Sequence, residues 1–129
     1  MASLGFVEGG IQAALNEGVP ADELINGVPF YTRLYSSDGN DTSSRAMTMP
    51  EADEWISTRG ITPTWDDTAC QYVVYFEDGT SISQMWLEEE ESMAAKLQVM
   101  NNYNLAGVAC WKLGLESNSI WEVINTYIP

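Results

Sequence analysis

Hydrophobic residues recur with two different spacings in successive segments of this chain. The two spacings predict helices and strands that follow one another in turn. Apolar residues recur every three or four positions in three segments, which is the pattern of an amphipathic helix packed on one face. These segments are residues 4–17, 88–103 and 117–127. Two continuous apolar runs, Ile25 to Tyr35 and Gly107 to Leu113, are typical of strands buried on both faces of a parallel sheet. The first run contains Pro29, which cannot donate to a ladder and so predicts an irregular border on one side.

A polar stretch and a short helix follow the first predicted strand. Residues 36–44 are all Ser, Asp, Gly, Asn or Thr, which indicates a surface loop. Thr48 then fits an N-cap and Glu51 the reciprocal capping position, with Pro50 in the first turn. This pattern predicts a helix over about residues 50–59.

Residues 64–87 have the character of antiparallel strands. A run rich in Tyr, Val and Phe precedes Asp78-Gly79, a strong two-residue hairpin signal, and a second apolar run follows it. The hairpin interrupts the alternation of helix and strand. We therefore predict a small inserted α+β subdomain over residues 36–87, between a first part over residues 1–35 and a last part over residues 88–129.

The ends of the two predicted parallel strands carry the first candidate site residues. Side chains at the C-terminal ends of parallel strands face the ligand site in folds of this kind. Tyr31 and Arg33 alternate on one strand face, and Trp111 lies near the end of the other strand. Trp111 could instead be a core tryptophan, and Arg33 could neutralise acidic neighbours.

Charge and composition narrow the classes of partner. The chain has 129 residues, enough for one domain with a real core, and its 19 acidic and 5 basic residues give a formal charge of -14. Such a polyanion repels phosphate backbones and anionic lipids, so we expect neither nucleic acid as a partner nor membrane insertion.

Histidine is absent, which excludes Ser-His and Cys-His catalytic dyads. We expect no cofactor and no metal. Cys70 and Cys110 could pair, but free thiols are favoured.

Several segments carry a resemblance to a known family, in the correct order along nearly the whole chain. They are MASLGFVE at residues 1–8, GVPFYTR at residues 27–33, WLEE at residues 86–89 with Ser92 and Lys96, and YNLAGVACW at residues 103–111. These resemble the sixth helix, the seventh strand, the start of the seventh helix and the eighth strand of glycoside hydrolase family eighteen, the chitinase-like barrel enzymes. The PTWD stretch at residues 63–66 is similar to the insertion of bacterial spore and cell-wall members.

The resemblance implies a fold and an activity. The fold would be α/β with α+β features: the C-terminal portion of a (β/α)8 TIM barrel, comprising its last two strands and their helices, with the inserted subdomain. The activity would be glycoside hydrolysis of N-acetylglucosamine polymers such as peptidoglycan, spore cortex or chitin. The family's Asp-x-x-Asp-x-Asp-x-Glu pattern, which carries the acid/base glutamate, does not occur here. We therefore expect a segment cut after the sixth strand and inactive alone.

The resemblance also implies roles for particular side chains. Trp111 would form the floor under the sugar, Tyr31 would donate a hydroxyl hydrogen bond, and Arg33 would reach the sugar or the insertion. Trp86 and Glu88 would wall one side of the groove, although for Trp86 the favoured role is to pack the hairpin onto the next helix. Glu116 would bind a hydroxyl or cap the following helix.

Partners and location follow from the same resemblance. The expected ligand is a glycan containing N-acetylglucosamine, and the location would be the cell envelope, the spore or the medium, although no targeting signal is seen in the chain. Two rival functions stay open: a free-standing carbohydrate-binding module and an assembly domain. For the latter, bare strand edges predict self-association or contact with the missing N-terminal half.

Overall fold

The computed structural model describes residues 1–128 and shows a mixed α/β fold with two sheets. The helices are α1 (Leu4–Asn16), α2 (Met49–Thr58), α3 (Glu90–Asn102) and α4 (Ser119–Tyr127). The strands are β1 (Ile25–Pro29), β2 (Tyr31–Ser37), β3 (Thr42–Thr48), β4 (Thr64–Asp66), β5 (Gln71–Asp78), β6 (Ser81–Trp86) and β7 (Gly107–Trp111). Strands β1 and β7 pair in parallel, and the other five form an antiparallel sheet in the order β3-β2-β6-β5-β4. The predicted combination of parallel strands, helices and an antiparallel insertion is confirmed.

The parallel pair is covered on one face by α3 and α4. Phe30, Met93, Leu97 and Ile120 are buried together in this core. The ring of Phe30 meets the indole of Trp121 edge to face, with centroids 5.4 Å apart. This core lies directly behind the carboxyl end of β1, since Phe30 follows that strand.

The antiparallel sheet has a core of its own against α2. Leu34 and Met47 on the sheet pack with Ala52 and Ile56 on the helix. The predicted capping box starts α2 as expected: the Glu51 carboxylate accepts from the backbone N–H of Thr48 at 2.8 Å, and Thr48 Oγ1 accepts from Glu51 N–H at 3.1 Å. The signal for this helix lies in neighbouring residues, so the sequence alone predicts where the helix begins.

The predicted single strand from Ile25 to Tyr35 is wrong, because the chain bends at Phe30 into two strands of different sheets. Up to Pro29 it pairs with β7, and from Tyr31 it pairs with β3 and β6. Pro29 cannot donate to a ladder, and the fully buried Phe30 anchors the bend. The apolar run is continuous because both strands have buried residues, so the pattern does not reveal the break.

The predicted polar loop over residues 36–44 is also wrong, since most of it is strand. Strands β2 and β3 form a hairpin whose paired residues extend from Ser37↔Thr42 to Tyr31↔Thr48. Five of the seven β3 residues are exposed, so no alternation of apolar and polar residues marks this edge strand. The β5–β6 hairpin is as predicted, but Asp78 pairs with Ser81 and the turn is therefore Gly79-Thr80.

Strand β7 is not buried on both faces as its apolar sequence predicts. None of its five residues is fully buried, and Ala109 and Trp111 are exposed. Helices α3 and α4 cover the other face, where Val108 packs on the core. The second face therefore stays open at the end of the strand. Cys70 and Cys110 are both free thiols, as favoured from the sequence.

Candidate functional site

The carboxyl ends of β1 and β7 lie side by side and define the position of the site. Pro29 pairs with Trp111 at the last position of the parallel ladder. Directly afterwards the backbone N–H of Phe30 donates to the carbonyl of Trp111 at 2.7 Å. Since β2 starts at this point, the first residues of the antiparallel sheet stand next to the end of β7.

A cavity of about 570 Å³ opens at this junction, and Tyr31, Arg33 and Trp111 all line it. Tyr31 and Arg33 project from one face of β2, while the intervening Thr32 is fully buried on the opposite face. Three residues that the sequence singled out are thereby brought together from two sheets. Among the described residues lining the cavity none is Asp or Glu.

Trp111 is a surface residue rather than a core tryptophan. Its side chain is 69% exposed, so the indole is accessible to a flat partner. Its neighbour Cys110 also lines the cavity, and burial raises the pKa of the Cys110 thiol, with a smaller contribution from the Glu116 carboxylate. An indole presented in this way can stack on the C–H face of a sugar ring.

Arg33 is held by a hydroxyl and not by an acidic neighbour. Its Nη1 donates to Ser44 Oγ at 2.8 Å, across the pairing of β2 with β3. The ion pair found within residues 1–128 joins Lys96 to Glu88 and does not involve Arg33. Because a guanidinium carries five N–H donors, donors of Arg33 are available to a ligand in the cavity.

Glu116 braces the loop that follows β7 and does not line the cavity. One carboxylate oxygen accepts from the backbone N–H of Gly114 at 2.7 Å, and the other accepts from Trp121 Nε1 at 3.2 Å. Its own backbone N–H, together with these donors, lowers the pKa of the Glu116 carboxyl. Gly114 has a φ of 95°, which favours glycine in this turn.

Trp86 lines a second cavity of about 530 Å³ and not the first. Tyr35 lines both cavities and so connects them. The sequence reasoning missed Tyr35, although it continues the alternation of Tyr31 and Arg33 along the same strand face.

Glu88 is buried and does not line the cavity that Trp111 lines. Its carboxylate contacts the ammonium of Lys96, and both side chains are nearly inaccessible. Burial raises the pKa of the Glu88 carboxyl, and the Lys96 charge opposes that effect. The position of Glu88 therefore indicates a contact within the fold.

The part of the chain that the structure describes has neither a metal-binding cluster nor a membrane-spanning helix. No group of three or more His, Cys, Asp or Glu side chains there is arranged to hold a metal ion. No helix among residues 1–128 has the length and apolar character needed to cross a membrane.

Comparison with known proteins gives one matching family model and several relatives. The family model described as Glycosyl hydrolases family 18 matches residues 4–116. The cortical fragment-lytic enzyme of Bacillus subtilis (strain 168) is 27% identical over 130 residues, which cover 97% of this chain and 30% of that protein. The chain thus spans about a third of the length of this relative.

Solved structures share the fold. The spore cortex-lytic enzyme SleL of Bacillus megaterium QM B1551 matches with a TM-score of 0.85 and 24% identity, over 97% of this chain and 30% of that one. Human YKL-39, described as a pseudo-chitinase with retained chitooligosaccharide binding, matches with a TM-score of 0.75 and 15% identity, over 95% of this chain and 39% of that one. These likenesses confirm the predicted chitinase-like fold.

Proposed function

The chain belongs to Glycosyl hydrolases family 18, and on that premise we propose that it supplies part of the sugar-binding groove of a protein acting on N-acetylglucosamine polymers. The supporting observation is the convergence of Tyr31, Arg33 and Trp111 on one cavity at the carboxyl ends of β1 and β7. Trp111 provides the stacking surface, Tyr31 a hydroxyl, and Arg33 N–H donors for ring hydroxyls or an acetamido oxygen.

The proposed role does not include proton transfer by this chain alone. Hydrolysis in this family depends on a protonated glutamate, and the sequence lacks the pattern that carries it. The absence of carboxylates from the described lining of the cavity agrees with this assignment. A structure of this fold, YKL-39, is named as a pseudo-chitinase that retains chitooligosaccharide binding. Binding without hydrolysis is therefore the activity we propose for the chain by itself.

The proposed glycan and location follow the relatives. One relative is named as a cortical fragment-lytic enzyme and another as Chitinase A1 of Niallia circulans. Both names point to polymers in which N-acetylglucosamine recurs. We therefore propose that the protein acts at the cell envelope or spore and that the glycan it binds is cortex peptidoglycan or chitin.

The proposed partner is polypeptide that covers the unpaired edges beside the site. In the described structure β1 pairs with β7 alone, and the apolar groove between β1 and α1 is open. Phe6 and Ile25 beside this groove are 76% and 62% exposed. Ile11 is the buried residue of α1, and the other members of its apolar face, Leu4, Val7, Ala14 and Leu15, are only partly buried, so this face has room for a covering layer.

The test is a titration of the chain with chitotetraose, followed by isothermal calorimetry and tryptophan fluorescence. We expect weak saturable binding, with a Kd on the order of 1 mM, because only part of the groove is present. Chitotetraose should remain intact on prolonged incubation. No heat and no fluorescence change up to about 10 mM ligand would contradict the proposal.

A free-standing carbohydrate-binding module is the second candidate. It is favoured by the exposure of Trp111, which is 69% exposed and lines the same cavity as Tyr31 and Arg33. The same titration distinguishes the two, since a module that works alone should bind with a Kd of about 10 μM or below.

A further inference from the structure

A buried polar cluster lies behind the site and converges on Glu88. We call it the polar hub, and it consists of Thr32, Gln71, Glu88, Ser92 and Lys96. Glu88 Oε1 accepts from Ser92 Oγ at 2.8 Å, and Oε2 accepts from Gln71 Nε2 at 3.3 Å and contacts Lys96 Nζ. Each of the five residues is at most 2% exposed.

The polar hub joins the two parts of the fold. Thr32 lies on β2 and Gln71 begins β5, both in the antiparallel sheet, whereas Ser92 and Lys96 lie on α3. Helix α3 packs against the parallel pair, and its Met93 and Leu97 belong to that core. Contacts in the hub therefore connect the sheet that carries Tyr31 with the part that carries Trp111.

Thr32 is the point at which the polar hub reaches the site. Its Oγ1 accepts from the backbone N–H of Glu88 at 3.0 Å. Tyr31 and Arg33 precede and follow it on β2, and both line the cavity on the opposite face. A hydrogen bond at Thr32 thus restrains two site residues at once.

Stability alone does not account for such an arrangement. Burying a charged pair removes both ions from water, and apolar replacements of similar volume are often neutral or stabilising. Directional contacts, by contrast, fix geometry, because a donor and an acceptor bond well only within a narrow range of distance and angle. Gln71 contributes through one side of its amide: Nε2 bonds to both Glu88 and the Leu87 carbonyl, whereas Oε1 is buried without a hydrogen-bond partner among the described residues.

We propose that the polar hub is a positioning device that sets the distance between the Tyr31 and Arg33 wall and the Trp111 floor. The inference rests on the proposed sugar-binding function and assigns to it five residues that do not touch the ligand. The two parts are also tied by the bend at Phe30, with its hydrogen bond to the Trp111 carbonyl, and by the backbone N–H of Met49, which donates to the Leu115 carbonyl at 2.9 Å. Neither of these bonds involves a residue of β2, whereas the hub restrains β2 itself through Thr32.

The test removes the hub's bond to β2 while preserving side-chain volume. Thr32→Val deletes the hydroxyl that accepts from Glu88 N–H, and Thr32→Ser keeps it. Ser36→Ala is the matched control, because it deletes the hydroxyl contact between Ser36 and Ser83 farther along the same strand. Chitotetraose affinity and the ring resonances of Tyr31 in the ligand-free chain are measured for each. The double variant Glu88→Gln/Lys96→Met tests the hub independently if Thr32→Val does not fold.

We expect Thr32→Val to weaken chitotetraose binding about five- to tenfold, the effect of one hydrogen bond, and to shift the Tyr31 resonances. Thr32→Ser should restore both, and Ser36→Ala should change neither although it lowers thermal stability. If Thr32→Val and Ser36→Ala have the same effect on chitotetraose affinity and on the Tyr31 resonances, the hub is only structural and the inference is overturned. If the unaltered chain binds no glycan, the proposed function fails, and the Tyr31 resonances still decide whether the hub positions β2.

Discussion

The backbone N–H of Phe30 donates to the carbonyl of Trp111 at 2.7 Å, one residue beyond the last pair of the parallel ladder. This bond joins the bend between the two sheets to the end of β7. Tyr31 follows Phe30 directly, so its phenol stands beside the cavity that Trp111 lines. Local backbone pairing, and not a direct side-chain contact, thus brings the two candidate sugar contacts to one place.

Replacing Trp111 should weaken chitotetraose binding with little effect on folding. We expect Trp111→Ala to weaken chitotetraose binding at least about tenfold, since the stacking surface is lost. The free energy of unfolding should change by less than about 0.5 kcal/mol because the indole is 69% exposed. Calorimetry and urea unfolding measure the two effects. Leu113→Ala is the matched control, since Leu113 is 71% exposed and does not line the cavity.

Glu116 should give a pH dependence at the loop after β7. Its pKa is lowered from 4.5 in the folded chain, so its stabilising contacts are complete above 4.5 and are lost as the pH falls through the lower folded value. We expect the amide resonance of Gly114 to titrate with a midpoint below 4.5. Glu116→Gln should abolish this titration. A midpoint at or above 4.5 would contradict the assigned contacts.

Removing one partner of the buried Glu88–Lys96 ion pair should lower the free energy of unfolding far more than replacing both partners. Lys96→Met leaves the Glu88 carboxylate buried and unpaired, and we expect a loss of about 3–5 kcal/mol in the free energy of unfolding. Glu88→Gln/Lys96→Met should recover most of that loss, because no buried charge remains. Chemical denaturation is the measurement. Lys112→Met, at an exposed lysine, should change little, and equal losses in the single and double variants would argue against a true ion pair.

Self-association through the open β1 edge should depend on salt. The apparent mass by light scattering should rise with protein concentration, and more at high salt, since a formal charge of -14 opposes contact between copies. Ile25→Thr should reduce the effect, because Ile25 is 62% exposed beside that edge. Ile82→Thr serves as control, since Ile82 is on β6 and 41% exposed. A clean monomer at high concentration and high salt would count against the open edge as a docking surface.

Local chemistry along the chain determined much of this protein. The capping box of Thr48 and Glu51 and the hairpin signal near Gly79 each act within a few residues, so their elements could be predicted. Alternation along β2 likewise predicted that Tyr31 and Arg33 share a face.

Tertiary structure alone decided where the chain changes sheets and which groups the site excludes. The break at Phe30 is hidden in the sequence because both flanking strands bury apolar residues, and burial depends on what each strand meets in space. Glu88 shows the same limit: the family resemblance implies a groove wall there, whereas the structure buries its carboxylate against Lys96 on α3. A pattern of residues specifies which side chains need burial or a partner. Which of them meet is decided only when distant segments pack.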